Sequence, residues 1–240
     1  MKYSLPPYLL EATSPINGEK RFVAHHPNKI IIGVDEVGRG PLAGPVVACV
    51  AILKDYKIDL GLNDSKKLSK ATRESLFELI KDHCLCYAIA SASEAEIDDL
   101  NILNANYLAM RRALSAIGVS NLDSPEASIP VECKGTLPRG LDWLIAVDGN
   151  LMISGVPAEK QIPIIKGDSK MVSISAASVL AKVYRDRYME RLAIEYPGYG
   201  FEAHAGYGTK KHIDAIRLLG FSPVHRKSFH PKSLQNGTSF

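Results

Sequence analysis

Two apolar runs joined by a short glycine-rich segment constrain the fold of this chain more than any other feature. Residues 30–34 and 45–53 are almost wholly apolar and rich in β-branched side chains, which is typical of buried strands. The segment between them carries Gly38, Arg39 and Gly40 and has no room for a helix. The sequence therefore predicts that one buried strand follows another directly along the chain.

The rest of the chain alternates further strand-like runs with segments of helical periodicity. The strand-like runs lie at residues 85–90 and 143–147, and the helical segments lie at residues 69–84, 94–100, 102–117 and 173–195. Residues 118–140 are rich in Ser, Pro, Gly and charge, which predicts a surface loop or insertion. Strands followed by alternating strands and helices indicate a mixed α/β sheet.

Length and charge narrow the class of protein. A chain of 240 residues with ordinary composition is long enough to bury a core in one domain, with or without a small appendage. The net charge of +3 argues against a histone-like coating protein, although a local basic face would still hold nucleic acid. No run approaches the ~18 to 20 apolar residues that cross a bilayer.

The N-terminus and the cysteines indicate the compartment. Prolines and then Glu11 interrupt the first residues, so no signal peptide is predicted. Cys84 and Cys86 are close in sequence, but Cys49 and Cys133 do not complete a zinc set, and ordinary reduced thiols are expected. We therefore expect a soluble, cytoplasmic protein.

Four carboxylates stand where site residues tend to lie. Asp35 and Glu36 follow the first strand, Asp148 closes a later strand at a glycine turn, and Asp168 precedes the long helix. Hard divalent ions take oxygen ligands, and ligands gather at strand ends in such sheets, so the four could converge on two ions about 3.5–4 Å apart. Alone, Asp148 is also typical of a plain turn and Asp168 of a helix cap.

Three further segments carry groups suited to nucleic acid, each with a plainer alternative. Gly38, Arg39 and Gly40 expose backbone N–H groups and a guanidinium, which suit a phosphate or a sugar hydroxyl. Residues 63–69 offer two lysines and a hydroxyl ahead of a helix, which is also typical of a solvated helix entry. The glycine- and aromatic-rich residues 201–209 are either a packed turn or an aromatic platform flanked by cations.

In order along the chain, these segments resemble ribonuclease HII. The resemblance is carried by residues 33–47, 64–69, 147–150, 166–170, 175–186, 206–209 and 225–229, and it spans roughly residues 29 to 229. It implies an RNase H-like mixed five-stranded sheet flanked by helices, with a helical C-terminal part. It also implies hydrolysis of the phosphodiester 5′ of a ribonucleotide, in RNA/DNA hybrids and in duplex DNA with embedded ribonucleotides, leaving 3′-OH and 5′-phosphate.

The resemblance assigns roles to residues. Asp35, Glu36, Asp148 and Asp168 would be the catalytic carboxylates that bind two Mg²⁺ or Mn²⁺ ions. Contacts with the substrate are implied for Gly38, Arg39, Gly40, Ser65, Lys66, Lys182 and Tyr207. The glycine loop between the two strands, with Gly38, Arg39 and Gly40, would inspect the ribonucleotide 2′-OH. Tyr207 would stack on the sugar at the RNA–DNA junction. The phosphates would be held by Lys66, Ser65 and Lys182.

The same resemblance divides the chain. Residues 1–28 would be a loosely docked or flexible extension, 29–192 the catalytic core, 193–229 a helical part that contributes the Tyr207 loop, and 230–240 a flexible tail. The expected partners are RNA/DNA hybrids and RNA–DNA junction duplexes, and nothing demands more than a monomer.

Three alternatives stay open. Another RNase H-like nuclease, such as a resolvase or a type 3 ribonuclease H, would share the carboxylate chemistry without needing the glycine loop. A nucleotide-binding protein would use that loop for a dinucleotide, but such a loop needs a helix N-terminus after its glycines, and residues 45–47 begin a strand. A catalytically inactive binding module is the third, and it leaves the intact carboxylates unexplained.

Overall fold

The computed structural model describes residues 4–55, 69–120, 122, 132–231 and 234. The strands are β1 (Lys29–Val37), β2 (Val46–Leu53), β3 (Cys84–Ala92), β4 (Glu132–Lys134), β5 (Asp142–Asp148) and β6 (Gln161–Ile164). The helices are α1 (Pro7–Leu10), α2 (Pro15–His25), α3 (Lys70–His83), α4 (Glu94–Ala116), α5 (Val172–Glu195), α6 (Phe201–His204) and α7 (Lys210–Leu219). The mixed α/β sheet flanked by helices is confirmed.

The sheet is mixed because β1 has a different neighbour on each side. The strand order is β4-β3-β2-β1-β5-β6. β1 runs antiparallel to β2 and parallel to β5, with Val34 beside Val50 on one side and Val147 on the other. β2 begins at Val46, so no helix follows the glycines, as the sequence predicted. This pairing brings the C-terminal ends of β1 and β5 together.

The sheet has six strands where five were expected. β4 lies within the predicted loop of residues 118–140, and β6 was not anticipated at all. Both are short edge strands, and β6 contains Pro163, which weakens any strand signal. The Gln161 side chain fixes the start of β6 by hydrogen bonds to the backbone of Ile153 and Val156. Tertiary pairing rather than local propensity forms these strands.

Each face of the sheet packs on a different set of helices. Ile32 and Val34 of β1 belong to a core with α4, whereas the odd-numbered positions of β2 pack against α3 and α5. Gly33 allows α5 to approach β1 very closely, because a Cβ there would lie 2.2 Å from the carbonyl carbon of Ser173. The N-terminal end of α5 is thereby held directly under β1.

The prediction of a loosely docked N-terminal extension is wrong for residues 4–28. Leu9 and Phe22 are fully buried against the sheet and the start of α5. Glu19 is also fully buried, and its carboxylate accepts hydrogen bonds from the Ser173 backbone at 3.2 Å and hydroxyl at 3.0 Å. The buried positions of α2 follow helical spacing, but Gly18 and Glu19 occupy two of them, so no apolar periodicity marks this helix in the sequence.

The helix ends follow local sequence signals. Ser69 caps α3 by accepting from the Thr72 N–H, and Ser93 and Glu96 form a capping box at α4. A predicted break between two helices coincides with Asn101, whose φ of +66° kinks α4. Beyond α5, the short helices α6 and α7 form the C-terminal part. Most of the predicted flexible tail, residues 230–240, lies outside the described residues.

The sequence predicted no membrane-spanning segment and ordinary reduced thiols. No helix in the described part of the chain is both long and apolar enough to span a membrane. All four cysteines are free thiols, three buried and Cys133 exposed.

Candidate active site

Asp35 is a buried carboxylate near the end of β1. It is 5% exposed, it accepts a hydrogen bond from the Glu36 N–H at 2.7 Å, and it is hydrogen-bonded to the Ser178 hydroxyl of α5. Burial first, and then the charges of Asp148 and Glu36, raise the pKa of Asp35 well above its usual range. Like charges are therefore crowded at a point where a cation would be favourable.

Asp148 and Asp168 are joined by one turn. Asp148 ends β5 beside β1, and its Oδ1 accepts a hydrogen bond from the Gly167 N–H at 2.6 Å. Asp168 is the next residue of that 3-10 turn, is 5% exposed, and lies four residues before α5 begins. The turn that contains Asp168 is thus hydrogen-bonded to Asp148.

Glu36 faces the opposite side of the sheet from Asp35, because consecutive strand residues alternate. Its Oε1 forms an ion pair with Nη1 of Arg39 at 3.2 Å. Glu36, Arg39 and Asp148 line a recess with Asn106 and Tyr107 of α4. The carboxylates at the end of β1 are therefore reached from both faces of the sheet.

A pocket of about 160 Å³ collects the predicted site residues on the α5 side. Its lining consists of Asp35, Glu36, Val37, Asp148, Ser178, Lys182 and Tyr207. Three of the four predicted carboxylates share this pocket with two of the predicted substrate contacts. Asp168 is not part of the lining; it follows Gly167, whose N–H binds Asp148.

The donor set suits a hard divalent cation, although the side chains are not closed around one. In the described part of the chain, no three His, Cys, Asp or Glu side chains stand in metal-ligating geometry. Glu36 is turned to Arg39, and one oxygen of Asp148 is taken by Gly167. The oxygen-only donors and the crowding of charge around Asp35 nevertheless fit such an ion.

Two buried arginines fix the glycine loop between β1 and β2, and sequence reasoning assigned neither a role. Arg226 donates to the carbonyls of Gly38 at 2.5 Å, Arg39 at 3.0 Å and Gly44 at 2.7 and 2.9 Å. Arg185 donates to other loop carbonyls, those of Ala43 and Pro45 at 3.1 Å. Arg185 and Arg226 lie in two of the segments that resemble the family, residues 175–186 and 225–229, and this is the only sequence signal that could have pointed to them.

The glycine loop is close to the pocket and tightly packed. Gly38 has a φ of +92°, and a Cβ there would lie 2.3 Å from Nε of Arg185. A Cβ on Gly40 would lie 3.6 Å from the ring of Tyr207. Only glycine fits at the first position, and the second places the loop beside the exposed tyrosine.

The predicted phosphate contacts are placed only in part. Lys182 lines the pocket, and its Nζ donates to Asp186 at 2.6 Å, one turn further along α5. A phosphate would have to compete with that carboxylate. Ser65 and Lys66 lie outside the described residues.

Known proteins resemble this chain in sequence over most of its length. The family model of ribonuclease HII matches residues 32–232. The ribonuclease HII of Shouchella clausii is 48% identical over 205 residues, covering 84% of this chain and 68% of that protein.

Solved structures share the fold. The ribonuclease H2 of Pyrococcus horikoshii OT3 matches with a TM-score of 0.62 at 26% identity, covering 85% of this chain and 95% of that one. Bst-RNase HIII in complex with Mn²⁺ matches with a TM-score of 0.57 at 19% identity, covering 89% of this chain and 71% of that one. The chain therefore belongs to the ribonuclease HII family and is a type 2 ribonuclease H, an endonuclease of the hydrolase class.

Proposed function

We propose that this enzyme cleaves the phosphodiester 5′ of a ribonucleotide, in RNA/DNA hybrids and in duplex DNA with embedded ribonucleotides, leaving 3′-OH and 5′-phosphate. One observation carries the proposal. A single pocket joins Asp35, Glu36 and Asp148 to Tyr207, and Gly40 lies beside that tyrosine. Groups suited to phosphodiester hydrolysis thus adjoin groups suited to recognising a sugar.

Two Mg²⁺ or Mn²⁺ ions are the proposed cofactors, held by Asp35, Glu36, Asp148 and Asp168. The oxygen donors support this assignment, as does the Mn²⁺ complex of the similarly folded Bst-RNase HIII. When bound, such ions supply Lewis acidity and a nucleophile at neutral pH. The protein's part is orientation: the Ser178 hydroxyl and the Glu36 N–H hold Asp35 in one position.

Glu36 and Arg39 would act as an exchanging pair. In the structure they neutralise each other across 3.2 Å at the mouth of the site, where the Arg39 side chain is 46% exposed. If Glu36 turns toward a cation, the guanidinium is released to the incoming strand. Binding of metal and of substrate would then reinforce each other through electrostatics.

The glycine loop is the proposed sensor of the 2′-OH, which alone distinguishes RNA from DNA at a given nucleotide. Discrimination by one hydroxyl requires a rigid partner, because a loose loop would accommodate either sugar. Arg185 and Arg226 would provide that rigidity through their hydrogen bonds to the loop's carbonyls. Tyr207, 42% exposed beside the loop, would stack on the neighbouring sugar.

The decisive experiment uses a DNA duplex with one embedded ribonucleotide and an all-DNA duplex of the same sequence. We expect one cut, 5′ of the ribonucleotide, only when Mg²⁺ or Mn²⁺ is present, and no cut in the control. Product ends are read by extension with a polymerase, which needs the 3′-OH. Cleavage 3′ of the ribonucleotide, or of the all-DNA duplex, would refute the proposal.

Tyr207→Ala tests the junction role of the tyrosine. Loss of a stacking platform worth ~1–3 kcal/mol should reduce cleavage at a single ribonucleotide by about tenfold or more. General duplex binding, measured with an all-DNA duplex, should change much less. Tyr207→Phe is the matched control, since it keeps the ring. An equal loss of cleavage and of duplex binding would remove the junction role.

A further inference from the structure

Three buried histidines pack around the Tyr207 loop, residues 205–209, and the proposed hydrolysis of the phosphodiester uses none of them. His204, His212 and His225 are 9%, 0% and 1% exposed. The rings of His204 and His212 stack with centroids 4.5 Å apart, and Phe201 packs against all three. Buried polar rings of this kind need a defined partner for every nitrogen.

The hydrogen bonds fix which nitrogen carries the proton in the two linked rings. The Ser222 N–H can only donate, and it points at Nδ1 of His225 at 2.9 Å, so that nitrogen is unprotonated. The proton of neutral His225 is therefore on Nε2, which donates to Nε2 of His212 at 3.1 Å. His212 must then be protonated on Nδ1, which donates to the Tyr207 carbonyl at 3.0 Å.

A charge on either ring would break this chain of bonds. Protonated His212 would place two N–H groups opposite each other across the 3.1 Å contact with His225. Protonated His225 would carry an N–H on Nδ1, directly opposite the Ser222 N–H at 2.9 Å. Burial lowers the pKa of both His212 and His225 to about 4, which keeps the pair neutral at physiological pH. The direction of the chain, from Ser222 to Tyr207, is therefore unique.

The chain of bonds ends on the residue proposed to contact the junction. The Tyr207 carbonyl also accepts from the Thr209 N–H at 2.8 Å, and the Tyr207 N–H donates to the His204 carbonyl at 2.9 Å. Both backbone groups of Tyr207 are thus fixed, while its ring stays 42% exposed in the pocket. The preceding residue, Gly206, binds the glycine loop through its carbonyl and the Leu42 N–H at 2.8 Å.

We propose that the Ser222–His225–His212 chain of hydrogen bonds positions Tyr207 for cleavage at RNA–DNA junctions, so that His212 and His225 are positioning residues. The proposal rests on the proposed role of Tyr207. Neither His212 nor His225 lines the pocket of the carboxylates, and they act by holding one carbonyl. Their removal should therefore weaken junction recognition and leave the hydrolytic step nearly unchanged.

Two substitutions at His212 separate the hydrogen bond from the bulk of the ring. His212→Asn keeps a donor near the position of Nδ1, whereas His212→Gln moves the amide toward the position of Nε2 and loses the bond to Tyr207. For a duplex with one ribonucleotide, we expect His212→Gln to raise KM about tenfold with kcat within about twofold. His212→Asn should stay within about threefold of the wild type. His83→Gln, on the exposed surface of α3, is the control.

A double-mutant cycle with Tyr207→Ala identifies which proposal fails. Adding His212→Gln to Tyr207→Ala should cause no further loss, because the group being positioned is already absent. Additive losses would overturn the positioning role while leaving Tyr207 as a substrate contact. Full activity of Tyr207→Ala would overturn both.

Nitrogen-15 spectra of the wild-type histidines test the geometry without any variant or assay. We expect His212 protonated on Nδ1 and His225 on Nε2 at neutral pH. The opposite tautomer of either ring, or a charged ring, would overturn the proposal even if the His212 variants do not fold.

Discussion

The carboxylate site and the glycine loop beside it treat buried charge in opposite ways. At the carboxylate site, the charges of Asp148 and Glu36 oppose that of Asp35 at a buried position. At the loop, the guanidinium groups of Arg185 and Arg226 donate hydrogen bonds to backbone carbonyls. The first arrangement is unfavourable until a cation arrives, and the second is satisfied within the fold itself.

The difference fits the roles proposed for the two regions. A site that binds cations must keep part of its electrostatic repulsion unrelieved, since this favours the ion when it binds. A loop with the proposed task of distinguishing a single hydroxyl must not move, and the buried arginines that hold it are fully hydrogen-bonded. Substitutions at the carboxylate site should therefore reduce activity more than stability, and substitutions of the arginines at the loop should reduce stability more than activity.

Asp35→Asn should have the largest effect on activity. Removing one charged ligand from the proposed metal site should reduce single-turnover cleavage by about three orders of magnitude or more, equal to several kcal/mol of transition-state stabilisation. Relief of the repulsion should raise the free energy of unfolding without metal by about 1 kcal/mol. Asp142→Asn, at the exposed other end of β5, is the matched control. Full activity of Asp35→Asn would rule out the metal assignment.

Arg226→Met should show the reverse pattern, with its main effect on stability. Removal of the guanidinium leaves buried carbonyls of Gly38 and Gly44 without donors, which should lower the free energy of unfolding by about 3–5 kcal/mol. Denaturation by urea measures this. Arg217→Met, on the surface of α7, should cost less than about 1 kcal/mol. Equal losses of stability in Arg226→Met and Arg217→Met would contradict the role of Arg226 in fixing the glycine loop.

Glu19 offers a buried carboxyl outside the like-charged cluster, and burial raises its pKa to about 7. The folded chain then holds this proton more tightly than the unfolded chain. Its stabilising contribution is complete below the ordinary pKa of a glutamate and is lost as pH rises through about 7, on the order of 3 kcal/mol in all. Glu19→Gln should remove this slope from unfolding curves measured between pH 5 and about 8. An unchanged slope would mean that Glu19 is not the group responsible.

The histidine pair should give a slope of the opposite sign. Because folding lowers the pKa of His212 and His225 to about 4, the unfolded chain binds more protons as the pH falls below about 6.5. Stability should fall on acidification, by on the order of 1 kcal/mol between pH 7 and 6. His225→Gln should reduce this loss and the exposed His83→Gln should not. Identical pH profiles of all three proteins would exclude the pair as its source.

The fold was predictable where local patterns are strong. The two apolar runs and the short loop between them required adjacent strands, and helical periodicity located α3, α4 and α5 to within a few residues. The edge strands β4 and β6 and the docked segment α1–α2 were missed. Leu9, Phe22 and Glu19 are buried against the sheet and the start of α5, a surface that exists only once distant parts of the chain have packed together.

For the site, the sequence by itself determined the kinds of groups and their order: four carboxylates, a glycine loop and an aromatic loop. Only the tertiary structure decided that Asp35 and Asp148 lie on neighbouring strands, that Glu36 faces the other side, and that Asp168 arrives through a turn. The same holds for Arg185, Arg226 and the histidine chain. The two arginines and His212 bind backbone carbonyls, which every residue has, so no sequence pattern reveals which carbonyl a distant side chain will bind.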